Sequence, residues 1–116
     1  MCMFTLSPYA STAETTQRSR LYIAPYDLVA RFGPPLPGTR DRKVSGSYTF
    51  TDIVGKVIRV YDWKATALYD GRPEANLPTV TALWASTEPT EFYISARGVV
   101  DIRAFARWLE TNITQL

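Results

Sequence analysis

Histidine is absent from the 116-residue chain, and cysteine occurs once, as Cys2. Without an imidazole there is no Ser-His-Asp or Cys-His catalysis and no His-ligated zinc. One cysteine permits neither an intrachain disulfide nor a thiolate cluster. The six glycines are scattered, with neither a Walker-type phosphate loop nor a GxGxxG turn. No apolar run approaches the ~20 residues that span a bilayer. The segment "MCMFTLSPYASTAETTQRSR" lacks both the basic start and the long apolar core of a secretory signal.

What the chain does have is a globular composition: 46% hydrophobic and 21% charged residues, with seven Tyr, five Phe and three Trp. That is enough apolar surface for a core of its own and excludes wholesale disorder. The net charge of +2 is too small to imply a polyanion partner by itself, yet it is unevenly spread. Residues 1–43 carry six basic and three acidic side chains, and residues 44–116 carry seven and eight. The excess lies in Arg18, Arg20 and the run Arg40-Asp41-Arg42-Lys43. Residues 1–19 are expected to form a flexible N-terminal arm and residues 20–116 a single α+β domain.

Local grammar defines most of that domain. In "PYDLVARFGPP", Pro25 fits a first helical turn, and Leu28, Val29 and Phe32 form an apolar stripe. Gly33 and two prolines stop the helix, so a two-turn helix over 25–32 is expected. "KVSGSYTFTD" alternates, with Val44, Gly46, Tyr48 and Phe50 on one face. Asp52 and Gly55 suit the following turn, and "KVIRVYDW" is the return strand, apolar on both sides and therefore interior. "TVTALWAST" (79–87) favours a short helix, with a strand as the alternative its β-branched content allows, and residues 91–97 form a strand with Phe92, Ile94 and Ala96 inward. Asp101 caps a final helix whose stripe is Ile102, Phe105, Ala106, Leu109 and Ile113, with Trp108 at its border. The expected fold is α+β: a small antiparallel sheet of three to four strands, made of the hairpin 44–63 and strand 91–97, with a short N-terminal helix and a C-terminal amphipathic helix packed on it. Its exposed edges would be satisfied by a homodimer.

The stretch "RVYDWKATALYDG" (59–71) gathers the candidate chemistry. Asp62 and Lys64, two apart on a strand, share a face and match the carboxylate–lysine pair of metal-dependent nucleases. Asp52, the other acid within the hairpin, falls at its opposite end, roughly 20–25 Å from Asp62 at ~3.3 Å per residue. That is too far to share a metal. The simpler expectation has Tyr61 and Trp63 packed on the core and Asp62 and Lys64 as an exposed pair. Tyr48, Tyr61 and Tyr93 on neighbouring strands could instead form a stacking platform for bases.

In order, "YDLVARFGPP", "KVSGSYTF…GKVIRVYDWKATALY" and "EFYISARG…FARWL" resemble small uncharacterised proteins encoded by bacteriophages and other viruses. The resemblance covers residues 24–110. It departs at Phe92-Tyr93-Ile94-Ser95-Ala96, where those proteins carry a Trp-His-Ile-Gly-Gly-like strand. It implies an accessory viral product in the cytoplasm of a host cell, binding a host protein or protein–nucleic-acid complex such as a CRISPR effector and blocking it by occlusion. No catalytic residue, metal or cofactor is expected on this reading. The expected partner-binding residues are Arg40, Arg42, Lys43, Tyr61, Trp63, Lys64 and Tyr69, because Tyr, Trp and Arg dominate interface energies. The alternatives are a nucleic-acid or nucleotide-binding module, and a metal-dependent hydrolase using Asp62 and Lys64.

Overall fold

The structure is a computed structural model that describes residues 3–114. In chain order it runs β1 (Phe4–Leu6), β2 (Thr16–Ile23), α1 (Pro25–Phe32), β3 (Leu36–Pro37), β4 (Gly46–Asp52), β5 (Val57–Tyr61), a 3-10 turn (Pro73–Ala75), α2 (Val80–Trp84), β6 (Thr90–Ala96) and α3 (Ile102–Thr114). All pairings are antiparallel, in the order β1-β4-β5-β6-β2. The short β3 pairs with the start of β4 on the side opposite β5, leaving the end of β4 to β1. The class is α+β as expected, but the sheet has six strands rather than three or four.

The extra strands come mainly from the segment expected to be a flexible arm. Phe4–Leu6 pairs with Phe50–Asp52 at one edge, and Thr16–Ile23 lies along β6 at the other. Both escape a periodicity reading for physical reasons. The first is only three residues long. The second begins with the exposed polar run Thr16-Gln17-Arg18, because an edge strand facing solvent needs no apolar alternation there. A register shift between Gln17 and Ser19, with Arg18 and Arg20 on the strand, discourages a further strand from adding to this edge.

All three helices contribute to one core, on one face of the sheet. Alternation sends Tyr48, Phe50, Ile58, Val60, Phe92, Ile94 and Ala96 into it. Leu28 of α1, Leu83 and Trp84 of α2, and Phe105, Leu109 and Ile113 of α3 meet them there. The α1 stripe docks as its spacing requires: Leu28 is fully buried and the Phe32 ring lies edge-on to Phe50 at 5.2 Å. The α3 cap also forms, with the Ala104 amide donating to Asp101 Oδ1 at 3.0 Å. Phe105 sits at the centre, its ring 5.2 Å from Phe4 and 5.3 Å from Phe50. The hairpin turn uses Asp52 Oδ1 to accept from the amides of Val54 and Lys56, and Gly55 takes φ +86°.

Among the described residues no helix packs on the other sheet face, yet Ser47, Thr49, Val57, Tyr61 and Ser95 on it are buried and Arg59 and Tyr93 are half-buried. This face carries Ser47, Thr49 and Thr51 from β4, Val57, Arg59 and Tyr61 from β5, and Tyr93 and Ser95 from β6. β5 is thus the interior strand the sequence suggested, although what lies on its second face is this row of side chains and no further layer of secondary structure.

Two substitutions test this packing. Phe105→Ala should lower unfolding free energy by about 3–5 kcal/mol, read from urea denaturation, since it empties the meeting point of three rings. Gly46→Ala should cost about 1–3 kcal/mol by overpacking. A Cβ there would lie 2.7 Å from Trp84 Cζ2 and 3.0 Å from Pro35 Cβ and Cγ. A Gly46→Ala melting curve matching wild type would contradict this account.

Candidate functional site at the open sheet face

The ladder of β5 ends at Tyr61, but alternation carries on through Trp63 before the backbone turns at Lys64. Asp62 turns inward and is completely buried. Its Oδ1 accepts from the amides of Ser45 at 2.8 Å and Gly46 at 3.1 Å, and its Oδ2 accepts from Ser45 Oγ at 2.7 Å. Ser45 Oγ in turn accepts from the Trp84 indole N–H at 3.0 Å. The carboxylate therefore ties the exit of β5 to the entry of β4 and, through Ser45, to α2. The expectation of an exposed Asp62–Lys64 pair is corrected: one member is sealed in a hydrogen-bond network and the other is exposed.

Lys64 adopts φ +56°, a left-handed conformation uncommon for a residue with a Cβ. Its amide donates to the Lys43 carbonyl at 2.6 Å, which fastens the end of the loop after β3 to the exit of β5. Alternation sets Trp63 on the same face as Tyr61, away from the helix-side core. It stacks on Tyr93 with centroids 6.3 Å apart and planes at 18°, and stays 39% exposed. Tyr61 stands edge-on to both rings, at 6.4 and 6.0 Å, and exchanges a 2.6 Å hydrogen bond with Ser95 Oγ. Tyr61 is buried at 7% exposed, as expected, but on the face away from the helices and not in the helix-side cluster.

Three cations attend these rings. The ammonium groups of Lys43 and Lys64 lie 5.7 and 5.8 Å from the Trp63 ring centre, and Lys64 also reaches Tyr69 at 5.3 Å. The Arg59 guanidinium sits over Tyr61 at 4.5 Å. Among the described residues none of the three forms an ion pair. Burial pushes the Arg59 pKa down, while Tyr61, Asp62 and Asp41 oppose that. Tyr69 is brought in by a tight turn in which its amide donates to the Thr66 carbonyl, with Thr66 itself buried. Beyond it, Asp70 pairs with Arg72 at 2.8 Å and is held down to about pKa 2, chiefly by that side-chain hydrogen bond.

Five of the seven expected contact residues thus come together: Lys43, Tyr61, Trp63, Lys64 and Tyr69. Arg40 and Arg42 are exposed on the adjoining loop and make none of these ring contacts. Arg59 and Tyr93 belong to the cluster and were missed as contact residues. In sequence Arg59 is one position within an apolar strand, and Tyr93 stands out only as a member of the tyrosine platform. The third member of that platform, Tyr48, lies on the helix side instead, where its hydroxyl donates to the Gly33 carbonyl at 2.7 Å. Burial raises its pKa. Cys2 lies outside the described residues.

The arrangement argues against Asp62 as a metal ligand. Asp62, the acid that a nuclease reading requires, is shielded from solvent with both oxygens engaged. Among the described residues no cluster of three or more His, Cys, Asp or Glu side chains is placed to hold a metal, and no helix is long and apolar enough to cross a membrane. No protein-family model matches the chain, and no curated protein matches it in sequence.

Asp62→Ala should destabilise the fold by about 3 kcal/mol, because it leaves buried amide and hydroxyl donors without an acceptor. Asp62→Asn should cost less, since an amide oxygen still accepts from both backbone groups; equal losses for the two variants in urea unfolding would contradict the network. The Asp70–Arg72 clip should persist as pH falls. A carboxylate whose folded pKa is depressed stabilises above its unfolded value of about 3.9 and loses that contribution as pH falls through its folded value. The Asp70 carboxyl carbon should therefore show its NMR titration midpoint near pH 2, and a midpoint near 4 would show that the clip is not formed.

Proposed function

We propose that this chain is a non-enzymatic binding protein that presents the open face of its sheet to a macromolecular partner and acts by occlusion. The observation that carries this reading is the Trp63–Tyr93 stack with Lys43 and Lys64 over Trp63 and Arg59 over the adjoining Tyr61, facing away from the helices. Exposed aromatic and cationic side chains held in fixed geometry are what binding hot spots are made of, because little conformational entropy is lost when they engage. Their positions are fixed from beneath by the Asp62 network and laterally by the Lys64–Lys43 backbone bond. The sequence resemblance to small viral accessory proteins supplies a setting: occlusion of a host defence complex, protein or nucleoprotein, in the host cytoplasm. A second reading, as a nucleic-acid-binding module, is favoured by one feature: among the described residues none of the three clustered cations forms an ion pair.

The test is affinity capture from host-cell lysate with and without nuclease, using wild type, Trp63→Ala and Lys64→Glu as baits. The expected result is one stoichiometric partner that both substitutions reduce at least fivefold, with melting temperature unchanged. A partner retained equally by all three baits would place the binding surface elsewhere and defeat the proposal.

A further inference from the structure

The centre of the open face holds a cation without an anion and, beside it, a hydroxyl without a partner. In the antiparallel register Arg59 lies between Thr49 of β4 and Ser95 of β6. Its guanidinium is half-buried, held against the Tyr61 ring, and makes neither an ion pair nor a hydrogen bond with any described residue. Directly across the strand pair, Thr49 is 1% exposed and its Oγ1 has no hydrogen-bond partner. Buried polar groups are normally satisfied, and a partly desolvated guanidinium presents five donors in a rigid fork suited to an oxyanion. The nearby acids are committed or peripheral. Asp62 is saturated by Ser45 and Gly46, and Asp41 accepts from Thr39 and from the Lys43 amide on the exposed loop. Ser95 Oγ is taken by Tyr61.

From Arg59 the face continues through Tyr61 to the Trp63–Tyr93 stack and the ammonium groups of Lys43 and Lys64. Cations alternating with rings, on a sheet face free of helices, are the two components of single-strand recognition: charge for the backbone and π-faces for the bases. We infer that the open face is a single-stranded nucleic-acid site, in which Arg59 takes a backbone phosphate, Lys43 and Lys64 flank the neighbouring phosphates, and a base stacks against the Trp63 edge of the aromatic cluster. The inference rests on the open face being the contact surface and adds the chemical class of what it holds. Duplex DNA fits less well, because its bases are already stacked and a ring platform gains nothing from them.

Fluorescence anisotropy with a fluorescein-labelled oligothymidine of about 15 nucleotides tests this on the full chain. Saturable binding is expected, weakening with salt along a log–log slope of about −2, since three cations each release about 0.7 of a counterion from a single strand. Arg59→Gln should weaken binding at least fivefold and flatten the slope by about 0.7. Arg59→Lys, which keeps the charge but not the fork, should keep the slope while losing affinity. Trp63→Ala should weaken binding about five- to hundredfold, the range for losing one stacked base. Circular dichroism melts show whether each variant is folded. Absence of saturable binding, equal affinity for a duplex of the same length, or affinity unchanged in both Arg59→Gln and Trp63→Ala would overturn the inference. If the oligonucleotide fails while lysate capture still depends on Trp63, the single-strand assignment falls and the binding face stands. If neither depends on Trp63, both fall.

Discussion

The carboxylate of Asp62, buried at the exit of β5, accepts three hydrogen bonds from the two residues that lead into β4. A buried charge is tolerated when several donors surround it, and its removal strands those donors. It closes the open end of the β4–β5 hairpin. Alternation sets Trp63 on the face opposite Asp62, and the left-handed Lys64 backbone bonded to Lys43 completes the turn. The extension of that network to Trp84 couples the exposed cluster to the helix layer on the far side of the sheet.

The two faces of one sheet therefore do different work. One is filled by Phe50, Phe92, Phe105 and their neighbours and supplies the apolar burial that a domain of this size depends on. The other is polar, with hydroxyl side chains in its middle and rings and cations at one end. Its middle is buried all the same, and exposure is greatest at the Trp63, Lys64 and Tyr69 end. Its middle retains Arg59 and Thr49 with unmet polar capacity, whereas the helix side leaves no buried side-chain polar atom unpaired among the described residues. Residual polar capacity concentrated at one place marks where an outside group would fit best.

Much of this was legible in the sequence, and the reasons divide cleanly. The elements at 25–32, 46–61, 90–96 and 102–114 carry strong local signals: a Pro start and Gly stop, alternation, and an amphipathic stripe with an Asp cap. The strands at 4–6 and 16–23 carry weak ones, because short edge strands depend on their neighbours' hydrogen-bonding groups and not on their own pattern. Inside the site, Lys43, Tyr61, Trp63, Lys64 and Tyr69 were identifiable as residue types suited to contact. The burial of Asp62 was not: alternation correctly places it with Ile58 and Val60, but the faces of this strand give no sign of which one the helices cover, and only the donors at Ser45 and Gly46 show how a carboxylate is accommodated there. Arg59 and Tyr93 needed the register, which places one between Thr49 and Ser95 and the other opposite Tyr61.

The most direct test of the central claim, that the open face is the contact surface, is amide chemical-shift mapping of the labelled chain titrated with oligothymidine. The account predicts that the largest changes fall at Lys43, Arg59, Tyr61, Trp63, Lys64, Tyr93 and Ser95, with α1 and α3 unmoved. Largest changes around Trp108 on α3, or at the exposed Ile53–Val54 hairpin tip, would contradict it.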